Sequence, residues 1–288
     1  MSHVSPSICR FCAAHCGVLV ETEGNRVLSV TGDRNNPLYR GYVCPKGRAL
    51  AEQHSHPQRL LHSMKRGPDG GHTPIPQTQA IDEIARKLRA LLDQHGPRSI
   101  AVYVGTYSFM IPAAAPTTMA WMNAIGSPMR FMPATIDKPG KAMAMALHGR
   151  WGAGPQPFRG ADTWMLVGAN PIVSKSIGAP PHNPSGALHD AVKSGMQLIV
   201  IDPRRTEAAR LAAVHLQCRP GEDPTVMAGL IRAVLAGDLH DQAFVREHAT
   251  GIEVLREAVE PFTPEYVEHR ADVPREQLLR AARIFAAG

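Results

Sequence analysis

Apolar and polar residues alternate through residues 18–33, "VLVETEGNRVLSVTGD", in two strand-like runs joined at Gly24-Asn25. A two-residue Gly/Asn connection between alternating runs predicts a β-hairpin. The next stretch, "RNNPLYRGYVCPKG", is rich in Asn, Pro and Gly and reads as loop. Residues 62–76, "HSMKRGPDGGHTPIP", read as linker. The period then changes. In "QAIDEIARKLRALLDQHG", Ile81, Ile84, Ala85, Leu88, Leu91 and Leu92 fall on one helical stripe that Gly96-Pro97 stops. "SIAVYVG" predicts a buried strand ending at Gly105, followed by a Met- and Ala-rich helix near 113–125 and a short strand at "RFMP".

From residue 160 the alternation is clearer. "DTWMLVGANP", "MQLIVIDPRR" and "AVHLQCRPGEDP" predict strands that run into loops. "SGALHDAVKSG" and "TVMAGLIRAVLAG" predict the helices between and after them, and the tail from 241 to 288 is helical, with Pro264 and Pro274 near helix starts. Strand–helix–strand units of this length imply a parallel sheet with helices on both faces. The expected fold class is therefore α/β, preceded by a small α+β lobe built on the hairpin.

Composition narrows the function little. The chain has 288 residues, 44% of them hydrophobic, and a net charge of +6. Its basic residues are scattered, so no nucleic-acid tail is expected. No apolar run approaches the ~20 residues of a membrane span. The start, "MSHVSPSIC", carries no secretory pattern and no twin arginine, so a cytoplasmic location is expected. Thiols stay reduced there, which favours metal ligation over disulfides for close-set cysteines. Cys218, alone in an apolar run, reads as a small buried hydrophobe.

Four other cysteines are not alone. Cys9, Cys12, Cys16 and Cys44 are spaced C-x2-C-x3-C-x27-C. Four thiolates hold either a [4Fe–4S] cluster or a tetrahedral zinc. Three ligands in one tight loop and a distant fourth suit the corners of a cubane, whereas zinc sites usually pair two C-x2-C knuckles. His15 adjoins Cys16, but four cysteines already fill either site, which leaves it a loop histidine. Lys46 follows Cys44 in "CPKG" and is either a solvated lysine or a cation that steadies a negative cluster.

The quartet with "VCPKGRAL", then "VGANP", "VIDPRRTEAARLA" and "HLQCRPGEDP" in that order, resembles the molybdopterin oxidoreductases that carry bis-molybdopterin guanine dinucleotide, such as formate dehydrogenases and periplasmic-type nitrate reductases. The resemblance covers nearly the whole chain. It implies a [4Fe–4S] cluster on Cys9, Cys12, Cys16 and Cys44, with Lys46 on the electron path to the pterin. It also implies that Gly168, Asn170, Asp202, Arg204, Gly221 and Asp223 line a guanine-dinucleotide site. Taken singly, these residues also read as turn glycines, helix caps and, with Arg205, surface charges. No G-x-G-x-x-G follows a predicted strand, so the nicotinamide fingerprint is absent.

The implied domains are an iron–sulfur domain over 1–60, the first part of a pterin-binding α/β domain over 61–150, and a guanine-dinucleotide-binding α/β domain over 151–288. Family members are much longer, so the resemblance implies the N-terminal portion of such an enzyme, or a gene product cut short, with the C-terminal pterin domain expected to be absent. The family puts Cys, selenocysteine, Ser or Asp on molybdenum or tungsten in the segment matching "TIDKPGKAMAMALHGRWG". Here Met143 or Leu147 falls at that position, and Asp137 reaches it only in a shifted register. His148 matches a histidine near the metal and is a candidate for proton transfer. The expected activity is oxidation or reduction of a small-molecule substrate, with a redox partner protein. A non-redox hydratase of the same superfamily and an electron carrier without catalytic metal are the alternatives.

Overall fold

The computed structural model describes residues 1–12, 14–105, 111–149, 157–174 and 182–288. The chain forms two compact units, Met1–Gly152 and Ala153–Gly288.

The first unit opens with an antiparallel sheet of three strands in the order β1-β2-β3, namely β1 (His3–Ile8), β2 (Gly17–Glu23) and β3 (Arg26–Gly32). β2 and β3 are the predicted hairpin, with Val18 opposite Gly32 and Val20 opposite Val30. Gly24 at the turn has φ +56°, in the left-handed region that glycine tolerates. β1 is an addition to the sequence reading. It carries Pro6 on an edge strand, the place in a sheet where proline is tolerated. Two short helices follow Cys44, α1 (Pro45–Arg48) and α2 (Leu50–His54).

The predicted linker is in fact a second hairpin, β4 (Ser63–Arg66) against β5 (His72–Ile75), turning at Asp69-Gly70. α3 (Gln77–His95) is the predicted helix, but its stripe is not a core: Ile81 and Ile84 are 55% and 58% exposed. The buried strand expected in "SIAVYVG" shrinks to β6 (Val102–Tyr103), whose Tyr103 is exposed. β6 pairs in parallel with β7 (Arg130–Phe131) across α4 (Ala114–Ala124). Among the described residues this sheet has only those two strands, too few to bury either face. α5 (Ala134–Asp137) and α6 (Pro139–His148) complete the unit.

The second unit is a doubly wound layer. Parallel strands β8 (Thr163–Val167), β9 (Gln197–Ile201) and β10 (Val214–Leu216) lie in the order β10-β9-β8. β8 leads through α7 (Pro171–Ser174) and α8 (Pro184–Lys193) to β9. β9 divides the interior by its period of two. Leu198 and Val200 pack with Leu166, Leu188 and Ala191 on one face, and Ile199 and Ile201 with Val226, Leu230, Val267 and Leu278 on the other. The second face is covered by α9 (Asp223–Ala236), α12 (Pro264–Ala271) and α13 (Arg275–Ala287), with α10 (Gln242–His248) and α11 (Ile252–Val259) between α9 and α12 in the chain. α9 lies so close to α12 that a Cβ on Gly229 would meet a Val267 methyl at 2.5 Å. No described helix is long and apolar enough to cross a membrane.

Candidate functional site

The first candidate site is the loop Cys9–Cys16, which joins β1 to β2. The Cys9 N–H donates to the Cys16 carbonyl at 2.7 Å, closing the loop, and the His15 N–H donates to the Cys12 carbonyl at 3.2 Å. Returning Cys44 to this loop is the work of residues 33–43. The Asp33 N–H donates to the Gly17 carbonyl at 3.1 Å, and the Asp33 carbonyl accepts from Gly41 at 2.8 Å. Asn36 Oδ1 accepts from the Leu38 and Tyr39 N–H groups, shaping the turn between them. A Cβ on Gly32 would run into the Gly41 carbonyl, so only glycine lets this loop fold back. The Tyr39 hydroxyl then donates to the Ala14 carbonyl inside the cysteine loop.

The result is a core made largely of thiols. Cys9, Ala14, Cys16, Val18, Val30, Tyr39 and Val43 are buried together, with Cys12 packed against them. All four cysteines are free. Burial pushes the Cys16 thiol up to about 11, and like charge on Cys9, Cys12 and Cys44 adds to the shift. Burial also raises Cys9, while a hydrogen bond from the Phe11 backbone and, least of all, the charge of Lys46 pull it back. Four mutually repelling thiolates in a small core need cationic metal to stay charged, which is how metal binding couples to folding.

Among the described residues, no three His, Cys, Asp or Glu side chains converge closely enough for a single ion. A cubane holds its thiolates at separate corners, more widely spread than around one zinc. The four-thiol donor set, with neither nitrogen nor oxygen among it, fits a [4Fe–4S] cluster. The "CPKG" turn is moulded to the same sulfurs. A Cβ on buried Gly47 would meet a Val43 methyl at 2.5 Å and Cys9 Sγ at 3.3 Å. Lys46 is exposed and sits 5.9 Å from the centre of the Phe11 ring.

The segment expected to face the metal is α5 and α6. Met143 and Leu147 are 61% and 74% exposed, and α6 has no buried residue. Asp137 pairs with Lys138 at 3.9 Å. His148 is exposed at the last turn of α6, before Gly149 at φ +85°. Residues 150–152 of this segment lie outside the described residues.

The second candidate site is in the other unit, where three loops leave the carboxyl ends of adjacent parallel strands. Gly168 follows β8 with φ +57° and donates its N–H to the Ile201 carbonyl at 2.8 Å. Asn170 Nδ2 donates to Glu207 Oε2 at 2.6 Å, linking the first loop to the second. Asp202 follows β9 and is 8% exposed; its Oδ1 accepts from the Arg204 N–H at 2.8 Å. This is a turn contact rather than the helix cap considered from sequence. Gly221, at φ +91°, precedes Asp223, the first residue of α9. Thus Gly168, Asn170, Asp202, Arg204, Gly221 and Asp223 follow the carboxyl ends of β8, β9 and β10, on the sheet edge where doubly wound folds bind ligands.

Several participants were not singled out from sequence. Glu207 holds Asn170, and its carboxyl is lowered by its own backbone N–H and by Asn170. His215 Nε2 lies 2.9 Å from the Asp202 carbonyl oxygen. An open groove of about 900 Å³ runs past Arg205, Arg210, His215, Arg219 and Arg280, with Cys218 in its wall. It takes Arg205, not Arg204, and its arginines suit an anionic ligand. Glu207 and His215 both lie inside the quoted stretches "VIDPRRTEAARLA" and "HLQCRPGEDP", but only their fold contacts single them out.

The sequence model of the molybdopterin oxidoreductase Fe4S4 domain matches residues 2–56, and that of the molybdopterin oxidoreductase domain matches 59–277. The chain belongs to the molybdopterin oxidoreductase family. It is 30% identical over 288 residues to the molybdopterin-containing subunit of thiosulfate reductase from Salmonella typhimurium, covering 99% of this chain and 36% of that one. It is 26% identical to the periplasmic nitrate reductase of Desulfovibrio desulfuricans (97% and 38%) and 26% identical to the acetylene hydratase of Syntrophotalea acetylenica (97% and 38%). The solved acetylene hydratase from Pelobacter acetylenicus shares the fold with a TM-score of 0.78 at 24% identity, covering 97% of this chain and 38% of that one. The chain thus spans 36–38% of the length of these relatives. Family membership carries with it a [4Fe–4S] cluster and a molybdopterin cofactor.

Proposed function

We propose that this chain is the cluster-binding and nucleotide-binding portion of a molybdenum or tungsten oxidoreductase. Cys9, Cys12, Cys16 and Cys44 hold the [4Fe–4S] cluster, and the loops after β8, β9 and β10 bind one guanine dinucleotide of a bis-molybdopterin cofactor. The division into 1–60, 61–150 and 151–288 follows from that assignment. The single observation that carries the reading is the thiol core, in which sulfur occupies space that aliphatic side chains fill elsewhere in the chain.

When bound, the cofactors supply two-electron chemistry on a small molecule at the metal and one-electron transfer through the cluster to a partner protein. The chain's own residues bind, orient and exclude water. Burial of Cys9 and Cys16 keeps solvent from the sulfurs. Lys46 places positive charge beside the thiolates and lies on the route by which electrons leave or arrive. Gly168 offers a left-handed turn open enough for a phosphate to approach, and Arg204 a cation for it. Asp223 accepts the two donors of a guanine edge, and Asp202 fixes the Arg204 backbone. His148 is assigned to moving a proton near the metal. The five free cysteines suit the reducing cytoplasm.

One observation favours a second reading. The segment 134–149 offers Met143 and Leu147 where an anionic ligand is expected, and its one carboxylate, Asp137, is paired with Lys138. A non-redox hydratase, in which the metal is a Lewis acid, tolerates that better, and an acetylene hydratase is among the relatives.

Elemental and nucleotide analysis of anaerobically purified protein tests the main reading. It expects about four irons per chain, molybdenum or tungsten, and GMP on acid hydrolysis. Colourless protein with one zinc overturns the cluster assignment, and a cluster without molybdenum or tungsten leaves an electron carrier. Substrate conversion without any electron acceptor selects the hydratase.

A further inference from the structure

We infer that His15 is a positioning residue that donates a hydrogen bond from Nδ1 to the sulfur of the bound cluster and thereby raises its reduction potential. The inference rests on the cluster assignment above, and three features of His15 support it.

The first is conformation. His15 sits at φ +49°, in the left-handed region, where glycine is the cheaper residue. A turn that merely linked Cys12 to Cys16 would be better served by glycine. The second is satisfaction. His15 Nδ1 is buried and has no hydrogen-bond partner among the described residues. Buried polar atoms are almost always paired, so one left over beside a ligand site points to a partner that arrives with the ligand. The third is placement. The backbone of His15 is fixed by its N–H bond to the Cys12 carbonyl, and its neighbours are Ala14, held by Tyr39, and the ligand Cys16.

A cubane's sulfides and thiolates accept hydrogen bonds, and accept them more strongly after one electron is added. A donor that stays protonated through the couple therefore favours the reduced state. Reduction is a one-electron gain by the cluster; the imidazole keeps its proton and no bond breaks. Hydrogen bonds to the sulfurs are among the main determinants of cluster potential. The neutral Nδ1–H tautomer suffices, so the effect needs no charge on the ring.

The test compares His15→Gly and His15→Asn with the parent in the cluster-loaded protein, using EPR-monitored redox titration alongside iron and sulfide analysis. Glycine relieves the backbone strain and removes the donor. Its reduced-to-oxidised ratio at a fixed potential should fall about tenfold, a shift of about 59 mV to more negative potential for a one-electron couple. Asparagine tolerates the same backbone and keeps an N–H donor, so its potential should lie between the two. Equal potentials in all three proteins at full iron content overturn the inference and leave the cluster assignment standing. Absence of iron from the parent protein overturns both. If His15→Gly fails to load iron, His15→Ala, which also removes the donor, decides: the parent potential at full iron loading refutes the role.

Discussion

The N-terminal lobe and the second unit solve the problem of an interior in opposite ways. In the second unit, Leu198, Ile199, Val200 and Ile201 are fully buried, and each face of β9 meets helices. Each such side chain contributes roughly 1.5–3 kcal/mol on burial, so the layer holds itself together with aliphatic contacts. The lobe of residues 1–56 has Val18, Val30 and Val43 but shares its core with Cys9, Cys12 and Cys16. A unit so small has little apolar area to bury, and its sulfurs add repulsion once ionised. The difference predicts that the second unit folds on its own sequence, whereas the lobe needs the group its thiols would hold.

The strongest way to break that contrast is to remove one sulfur. Cys16→Ser should lower bound iron from about four per chain to below one and open residues 1–56 to proteolysis. The second unit should keep its protease resistance, because its described core clusters are built from its own residues. Mass spectrometry of limited digests, with iron analysis, reads both. A variant with full iron would show that Cys16 is not a ligand, and a second unit that melts as well would erase the contrast.

The converse change sharpens it. Leu198→Ala removes a fully buried side chain between β9 and α8 and should cost about 2–5 kcal/mol in the second unit. Urea unfolding followed by far-UV circular dichroism measures the loss. Iron content at low denaturant should be unchanged, and a parallel fall in iron would show that the two regions are coupled.

The same division explains what was legible in the sequence. The second unit was read almost element by element, because aliphatic runs of a few residues alternating with amphipathic helices admit few folds. The Gly24-Asn25 hairpin was legible for a local reason, its turn chemistry. β4 and β5 were missed although Asp69-Gly70 is itself a hairpin signal, since their short, polar strands and surrounding glycine and proline read as linker. β1 was missed because an exposed edge strand with a proline has no apolar alternation to display. The helix α3 was legible and its exposure was not: periodicity reports which face is apolar, never whether something covers it. At the sites, the cysteine spacing was visible and the means of bringing Cys44 back were not. Tyr39 and Ala14 are 25 residues apart and meet only in the fold. The contacts of Glu207 and His215 were invisible for the same reason, since their partners lie 37 and 13 residues away.

The smallest expected effect concerns charge rather than burial, and it asks whether the second unit owes anything to ion pairs. Glu222 precedes α9, where Thr225 Oγ1 donates to its carboxylate at 2.7 Å and Arg270 of α12 pairs with it at 2.9 Å. The Thr225 hydrogen bond, assisted by Arg270 and Arg219, holds the Glu222 carboxyl below the usual glutamate range. A carboxyl lowered on folding stabilises above its unfolded pKa of about 4.3 and loses that contribution as pH falls through the lower folded value. Glu222→Gln keeps the shape and an acceptor for Thr225 but discards the charge. Its urea midpoint should therefore lie slightly below the parent's at neutral pH and converge with it as the solution is acidified past the carboxylate range. High salt should shrink the gap at neutral pH, since Arg270 is exposed and its field is screened. A gap that persists unchanged in acid would assign the effect to lost packing at the α9–α12 contact rather than to the Glu222 charge.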